Sequence, residues 1–127
     1  MAKPPTISDA EWRVMQVLWD ADQPLVAADI VTALNDASWS PLTIKTMLGR
    51  LVKKKAVRFT KDGKRYLYAA AVSKDQCVRA ESRSFLQRVF AGATGPMLAR
   101  LVEEASLSDR EIKELTDLLN QKKRRDR

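Results

Sequence analysis

The sequence predicts a mainly α-helical chain: a winged helix-turn-helix with a two-stranded wing, followed by a three-helix C-terminal region. Three observations predict it. Ser-x-x-Glu or Ser-x-x-Gln boxes stand at Ser8, Ser73 and Ser108, each ahead of apolar residues at helical spacing. Two β-prone runs flank Asp62-Gly63, the dipeptide that supplies a tight hairpin's positive φ. Ahead of both runs, residues 39 to 55, WSPLTIKTMLGRLVKKK, make a helix that is oily on one face and cationic on the other. Periodicity and turn chemistry give the elements; their order gives the winged helix by analogy.

The first helix starts at the box Ser8-Asp9-Ala10-Glu11, where the serine hydroxyl takes an orphan N–H and the glutamate reaches back to the cap. Trp12, Met15, Leu18 and Trp19, with Val14 and Val17 beside them, make most of its circumference apolar, which places it centrally in a core. Asp22-Gln23-Pro24 ends it. A short second helix carries Ala27, Ile30, Val31 and Leu34 on one side and stops near Asn35. The third begins at Ser40, a good N-cap, with Pro41 at the first position, where a missing N–H is harmless. Its inward side is Ile44, Met47, Leu48, Leu51 and Val52. Strands are expected over residues 57 to 60 and 65 to 69, joined by a basic loop over 61 to 64.

From residue 73 the chain is helical again. The box Ser73-Lys74-Asp75-Gln76 opens a helix stopped at Gly92, Pro96 opens a short one, and Ser108-Asp109-Arg110-Glu111 opens the last. About 50 residues are marginal as a self-sufficient core, so a second copy of the chain is the simplest cover for their apolar stripes. The stripes expected to pair are Phe85, Leu86, Val89 and Phe90, then Leu98, Leu101 and Val102, then Ile112, Leu115 and Leu119. The expected organisation is a winged-helix domain over 1 to 72, a dimerisation region over 73 to 120, and a disordered basic tail over 121 to 127.

Composition narrows the function. The chain has 127 residues and a formal net charge of +7, and the positive charge is one block. Residues 1 to 39 hold Lys3 and Arg13 against six acids, whereas residues 40 to 65 hold nine lysines and arginines against Asp62 alone. Such a block is the footprint of a polyanion partner. No apolar run approaches the roughly 20 residues of a membrane span and the first residues lack a signal peptide's apolar core, so a cytoplasmic location is expected. With no histidine, no phosphate-cradling glycine loop and no activated nucleophile, catalysis, a metal site and a cofactor are not expected. Cys77, the single cysteine, reads as a small buried hydrophobe without a functional role.

Double-stranded DNA is the partner that the third helix fits, since a helix roughly 10–12 Å across enters the major groove. Thr43 and Thr46 are short donors and acceptors carrying a methyl group, Lys45 and Arg50 reach guanine edges or phosphates, and Leu42 suits a thymine methyl. Lys53 and Lys54 at the far end suit phosphates, as does Ser40 at the start. Gly49 either admits a close backbone approach or is a tolerated surface glycine. The wing's Lys61, Lys64 and Arg65 would rest on the DNA backbone or in the minor groove. The alternatives are a nonspecific nucleic-acid-binding or architectural protein, for which the basic block suffices, and a protein-interaction module.

The segments ISDAEWRVMQVLW (7–19), Trp39-Ser40-Pro41 with Thr43-Ile44-Lys45-Thr46 and Arg50-Leu51, then SFLQRVFAG and LSDREIKEL, resemble the penicillinase and methicillin-resistance repressors, a family that also has copper-responsive members. The resemblance covers about residues 6 to 120. It implies a homodimeric transcriptional repressor whose winged helices bind a palindromic operator and whose C-terminal helices pair, with antibiotic resistance the setting of the best-known members. In those members proteolysis of the C-terminal region, triggered by a membrane-bound sensor protease, releases the DNA. Three features depart from the pattern. Leu42 stands where many members have a basic residue, Arg100-Leu101 stands where the staphylococcal members are cut at Asn-Phe, and the tail QKKRRDR lacks the cysteines of the copper-responsive members.

Overall fold

The computed structural model describes residues 4–126; Lys3 and Arg127, counted in the charge balance above, lie outside them. Eight elements follow in order: α1 (Asp9–Asp20), α2 (Ala27–Ala33), α3 (Pro41–Lys53), β1 (Val57–Asp62), β2 (Arg65–Ala70), α4 (Lys74–Phe90), α5 (Thr94–Glu104) and α6 (Asp109–Arg125). The chain forms two compact units that divide between Ser82 and Arg83.

The first unit is a winged helix. Ser8 and Glu11 close the box at the start of α1, Glu11 N donating to Ser8 Oγ at 3.2 Å and Ser8 N donating to Glu11 Oε1 at 2.9 Å. Val14, Met15 and Leu18 of α1 meet Ile30 of α2 and Ile44, Leu48 and Leu51 of α3 in one core. β1 and β2 pair antiparallel from Val57↔Ala70 to Asp62↔Arg65. The strands are therefore longer and the turn tighter than expected: only Gly63 and Lys64 lie between the paired residues, with Gly63 at φ +65°. Leu25 adds a bridge that no local pattern announces, exchanging both backbone hydrogen bonds with Tyr68 at 2.9 and 2.7 Å. That bridge ties the α1–α2 connection to the wing. Trp19 does the same for the wing's end, its Nε1 donating to Val72 O at 2.9 Å.

The end of α3 is fixed by a Schellman arrangement. Lys55 N donates to Val52 O at 3.0 Å, Ala56 N donates to Leu51 O at 2.9 Å, and Lys55 takes φ +67°, the left-handed conformation glycine usually supplies there. Buried Ala56 packs back in the core with Leu51, so the turn into β1 is set by the hydrophobic contact that accompanies this motif.

The boundary between the units differs from the one expected at residue 72. Cys77, on the first turn of α4, is buried in the winged-helix core, and burial pushes its thiol pKa up. The start of α4, capped by Ser73 and Gln76, thus belongs to the first unit. In the second unit α4 ends at Phe90 with Ala91 and Gly92 at positive φ, and α5 starts at Thr94, so that Pro96 sits in its first turn instead of opening it. A second correction concerns the tail, expected to be disordered: α6 runs on through residues 121 to 125. Lys122, Lys123, Arg124 and Arg125 occupy the last turn, where the helix dipole favours cations, and Lys122 pairs with Asp126 at 3.4 Å.

Candidate nucleic-acid interface

The sequence of α3 determines what it shows to solvent. At 3.6 residues per turn, Ile44, Met47, Leu48 and Leu51 fall on one side and are buried, leaving Leu42, Thr43, Lys45, Thr46, Gly49, Arg50 and Lys53 exposed. Ser40 caps the helix, its Oγ accepting from Thr43 N at 3.1 Å and lying 3.0 Å from Thr43 Oγ1. Thr46 Oγ1 donates back to Leu42 O at 2.9 Å, which turns the hydroxyl's acceptor side outward. Leu42 is 74% exposed, an unfavourable place for a leucine unless something covers it. A Cβ at Gly49 would meet nothing within 4 Å, so this glycine marks open surface and no internal packing demands it.

The cations on this face stand unpaired. Among the described residues Lys45, Arg50 and Lys53 have no ion-pair partner, in contrast to Arg79, Arg100, Arg110, Lys113 and Lys122 of α4–α6, each of which faces an acid about one turn away. Four residues of one helix side, Leu42, Lys45, Gly49 and Lys53, recur at intervals of three or four and form a continuous strip. On the wing, Lys61 and Lys64 are exposed and have no ion-pair partner among the described residues, while Arg65 is held by Asp62 at 3.0 Å. Two aromatic rings outside the expected set, Phe59 and Tyr66, stack edge to face across the strands at 5.1 Å and are about half exposed. Their alternation on paired strands is the signal by which they could have been found.

Lys54 does not join this face. Its Nζ donates to Thr6 O at 3.0 Å and to Glu11 Oε1 at 2.6 Å, clamping the end of α3 to the start of α1. Glu11 is only 3% exposed. Burial raises its pKa, but the hydrogen bonds from Lys54 and Ser8 and the Lys54 charge outweigh that and hold it below the ordinary glutamate value. The phosphate contact expected at Lys54 competes in the free protein with this pairing, whose partner, 43 positions away, is invisible to a helical wheel.

The residues expected to pair two chains form apolar stripes on the three C-terminal helices. Phe85 and Val89 are exposed and Leu86 and Phe90 half-buried on α4, with the Phe85 and Phe90 rings edge to face at 5.9 Å. On α5, Leu98, Leu101 and Val102 are exposed, as are Ile112, Leu115 and Leu119 on α6. Among the described residues neither α5 nor α6 buries a single one. Arg100 and Leu101 lie inside α5, Arg100 facing Glu103 and Glu104 at 3.9 and 4.0 Å.

Comparison with known proteins gives this arrangement a context. The penicillinase repressor family matches residues 7–121. A penicillinase repressor of Bacillus licheniformis is 37% identical over 126 residues, 98% of each chain. A methicillin resistance regulatory protein of Staphylococcus aureus is 34% identical over 91% of this chain and 94% of its own. Among solved structures, the Bacillus licheniformis repressor BlaI, in its monomeric form in complex with the blaP half-operator, is similar with a TM-score of 0.52 and 38% identity, over 60% of this chain and 93% of that one.

Proposed function

The chain belongs to the penicillinase repressor family, and from that premise we infer that it represses transcription by binding operator DNA through α3 and the wing. The observation that carries this reading is the unpaired strip on α3. A helix roughly 10–12 Å across fits the major groove, and there Lys45 and Arg50 meet guanine edges or phosphates while Thr43, Thr46 and Leu42 meet base edges and thymine methyls. Leu42, exposed in the free protein, gains a cover. Lys53 lies against phosphates beyond the reading residues, and Lys61 and Lys64 carry the wing onto the backbone, adding affinity more than selectivity.

The chain acts as a homodimer. Its C-terminal helices leave apolar stripes open along their length, and a second copy supplies the same stripes in return, which is how twofold interfaces are built. A twofold dimer reads a palindromic operator, with half-sites about one helical turn apart or a multiple of it. An antibiotic-resistance gene is the target class that its relatives' names suggest. Release by proteolysis at Arg100-Leu101 would make a membrane-bound sensor protease a further partner. Because that bond lies inside α5, cleavage requires the helix to open first.

Nuclease footprinting on the DNA upstream of the chain's own gene tests the reading. Protection of two half-sites related by a dyad supports it. Protection without a preferred position would leave only the nonspecific architectural role.

A further inference from the structure

A groove of about 750 Å³ opens between α2, the start of α3 and strand β2. One wall is made of small apolar groups, Ala28 and Val31 of α2 and Pro41 of α3. Tyr66 and Tyr68 of β2 also line it, and Lys45 and Arg65 are the cations of its lining. Its size falls within the range of roughly 300–1,000 Å³ typical of small-molecule sites, which join mostly apolar walls to a few placed polar groups.

We propose that this groove binds a small amphipathic anion with a flat apolar body, such as an aromatic carboxylate. Each part of the lining selects for one part of that ligand. A compact phosphate or sugar phosphate would meet the cations but leave the apolar wall and both rings wet. An uncharged hydrophobe would cover them and strip water from Lys45 without giving it a partner, which is unfavourable. A planar ring satisfies the tyrosine faces, and its carboxylate meets Lys45, which has no ion-pair partner among the described residues, and Arg65, which Asp62 holds in place at 3.0 Å. Asp62 occupies part of Arg65's fork, so Lys45 carries the larger share of the charge recognition.

Lys45 also stands on the strip inferred above to face DNA. Resting on that reading, an occupied groove takes this cation from the operator, and by linkage ligand and DNA weaken each other's binding by the same factor.

The test uses the full chain, isotopically labelled, titrated with 1-naphthoate and with the neutral 1-naphthalenemethanol, following backbone amide resonances without DNA. Saturable shifts confined to residues around Ala28, Val31, Lys45 and Tyr66 are expected, with the alcohol at least about tenfold weaker, the factor a charge-assisted contact carries. Ala28→Trp, an exposed position on α2, should abolish the shifts by filling the groove while the thermal melt stays that of the parent. No saturable shift, equal binding of the alcohol, shifts centred on the apolar faces of α4–α6, or shifts that persist in Ala28→Trp would overturn the site. In a separate arm, fluorescence anisotropy of a labelled operator duplex should show weaker binding with saturating naphthoate for the parent but not for Ala28→Trp. Unchanged DNA affinity with the groove occupied would overturn the coupling. Absence of DNA binding altogether would sink the repressor reading and leave the titration to decide the site.

Discussion

Replacing Lys54 with methionine isolates the clamp between α1 and α3. In the parent, Glu11 Oε1 accepts from Lys54 Nζ at 2.6 Å and from Ser8 N at 2.9 Å, and Oε2 has no partner among the described residues. Removing the ammonium leaves a carboxylate that is 3% exposed with one hydrogen bond from backbone. Breaking a fully buried pair costs about 3–5 kcal/mol. Here the Lys54 side chain is 36% exposed, so water can reach the vacated position, and the loss should be about 1–3 kcal/mol at pH 7. For a unit of this size each kcal/mol lowers the melting temperature by roughly 4–8 °C. The pH dependence identifies the cause. Glu11 in the parent titrates below its ordinary value, so its contribution is complete above the unfolded pKa and is lost as pH falls through the lower folded one. In Lys54→Met both lowering contributions of Lys54 are gone while burial and the Ser8 hydrogen bonds remain, so the folded pKa rises from its value in the parent and the stabilisation linked to its ionisation shrinks. The difference between variant and parent should therefore be largest near neutrality and shrink as pH falls through the carboxylate range. Urea unfolding at several pH values, with Glu11→Gln and the double variant completing a cycle, measures it. A loss independent of pH, or unchanged stability combined with a smaller salt dependence of DNA binding, would refute the clamp and return Lys54 to the DNA-contacting set.

Arg50→Ala should weaken specific operator binding by about 1–3 kcal/mol if the side chain reads a base; anisotropy on operator and scrambled duplexes checks this, and an equal change on both would make it a phosphate contact. Lys61→Ala and Lys64→Ala should weaken binding to all sequences alike and lower the salt slope by about one for each phosphate left without its cation. Lys55→Gly removes the left-handed strain at the end of α3 and should stabilise the chain by up to about 1 kcal/mol, read from its melting temperature. Leu119→Asp and Leu101→Asp place charge on exposed stripes of α6 and α5 and should yield monomers on sedimentation; an intact dimer from both variants would remove those stripes from the pairing surface.

Where physics is local, the sequence is readable. All three serine boxes are present as hydrogen-bonded caps, because each needs only residues three apart. The two faces of α3 and the pairing of the wing follow from periods of 3.6 and 2. Long-range contacts are not readable. Nothing near Leu25 announces its bridge to Tyr68, and nothing near Lys54 announces Glu11. Composition makes the tail look disordered, although its bases extend a capped helix and suit its C-terminal dipole. Residue type alone marks Cys77 as a buried hydrophobe, but only its burial in the winged-helix core shows that the division between the units lies further along α4. The groove beneath Tyr66 is formed by three elements at once, and no single segment carries its signature.

Repression by sequence-specific binding is tested most directly by titrating the purified chain against DNA from upstream of its own gene and against scrambled DNA of equal length, across a salt series near physiological ionic strength. A preference of about a thousandfold or more, with a salt slope of several charges, is the expected result. Equal affinity for both duplexes, collapsing together as salt rises and repeated across a genome-wide selection of fragments, would contradict it and show that α3 grips phosphates without reading bases.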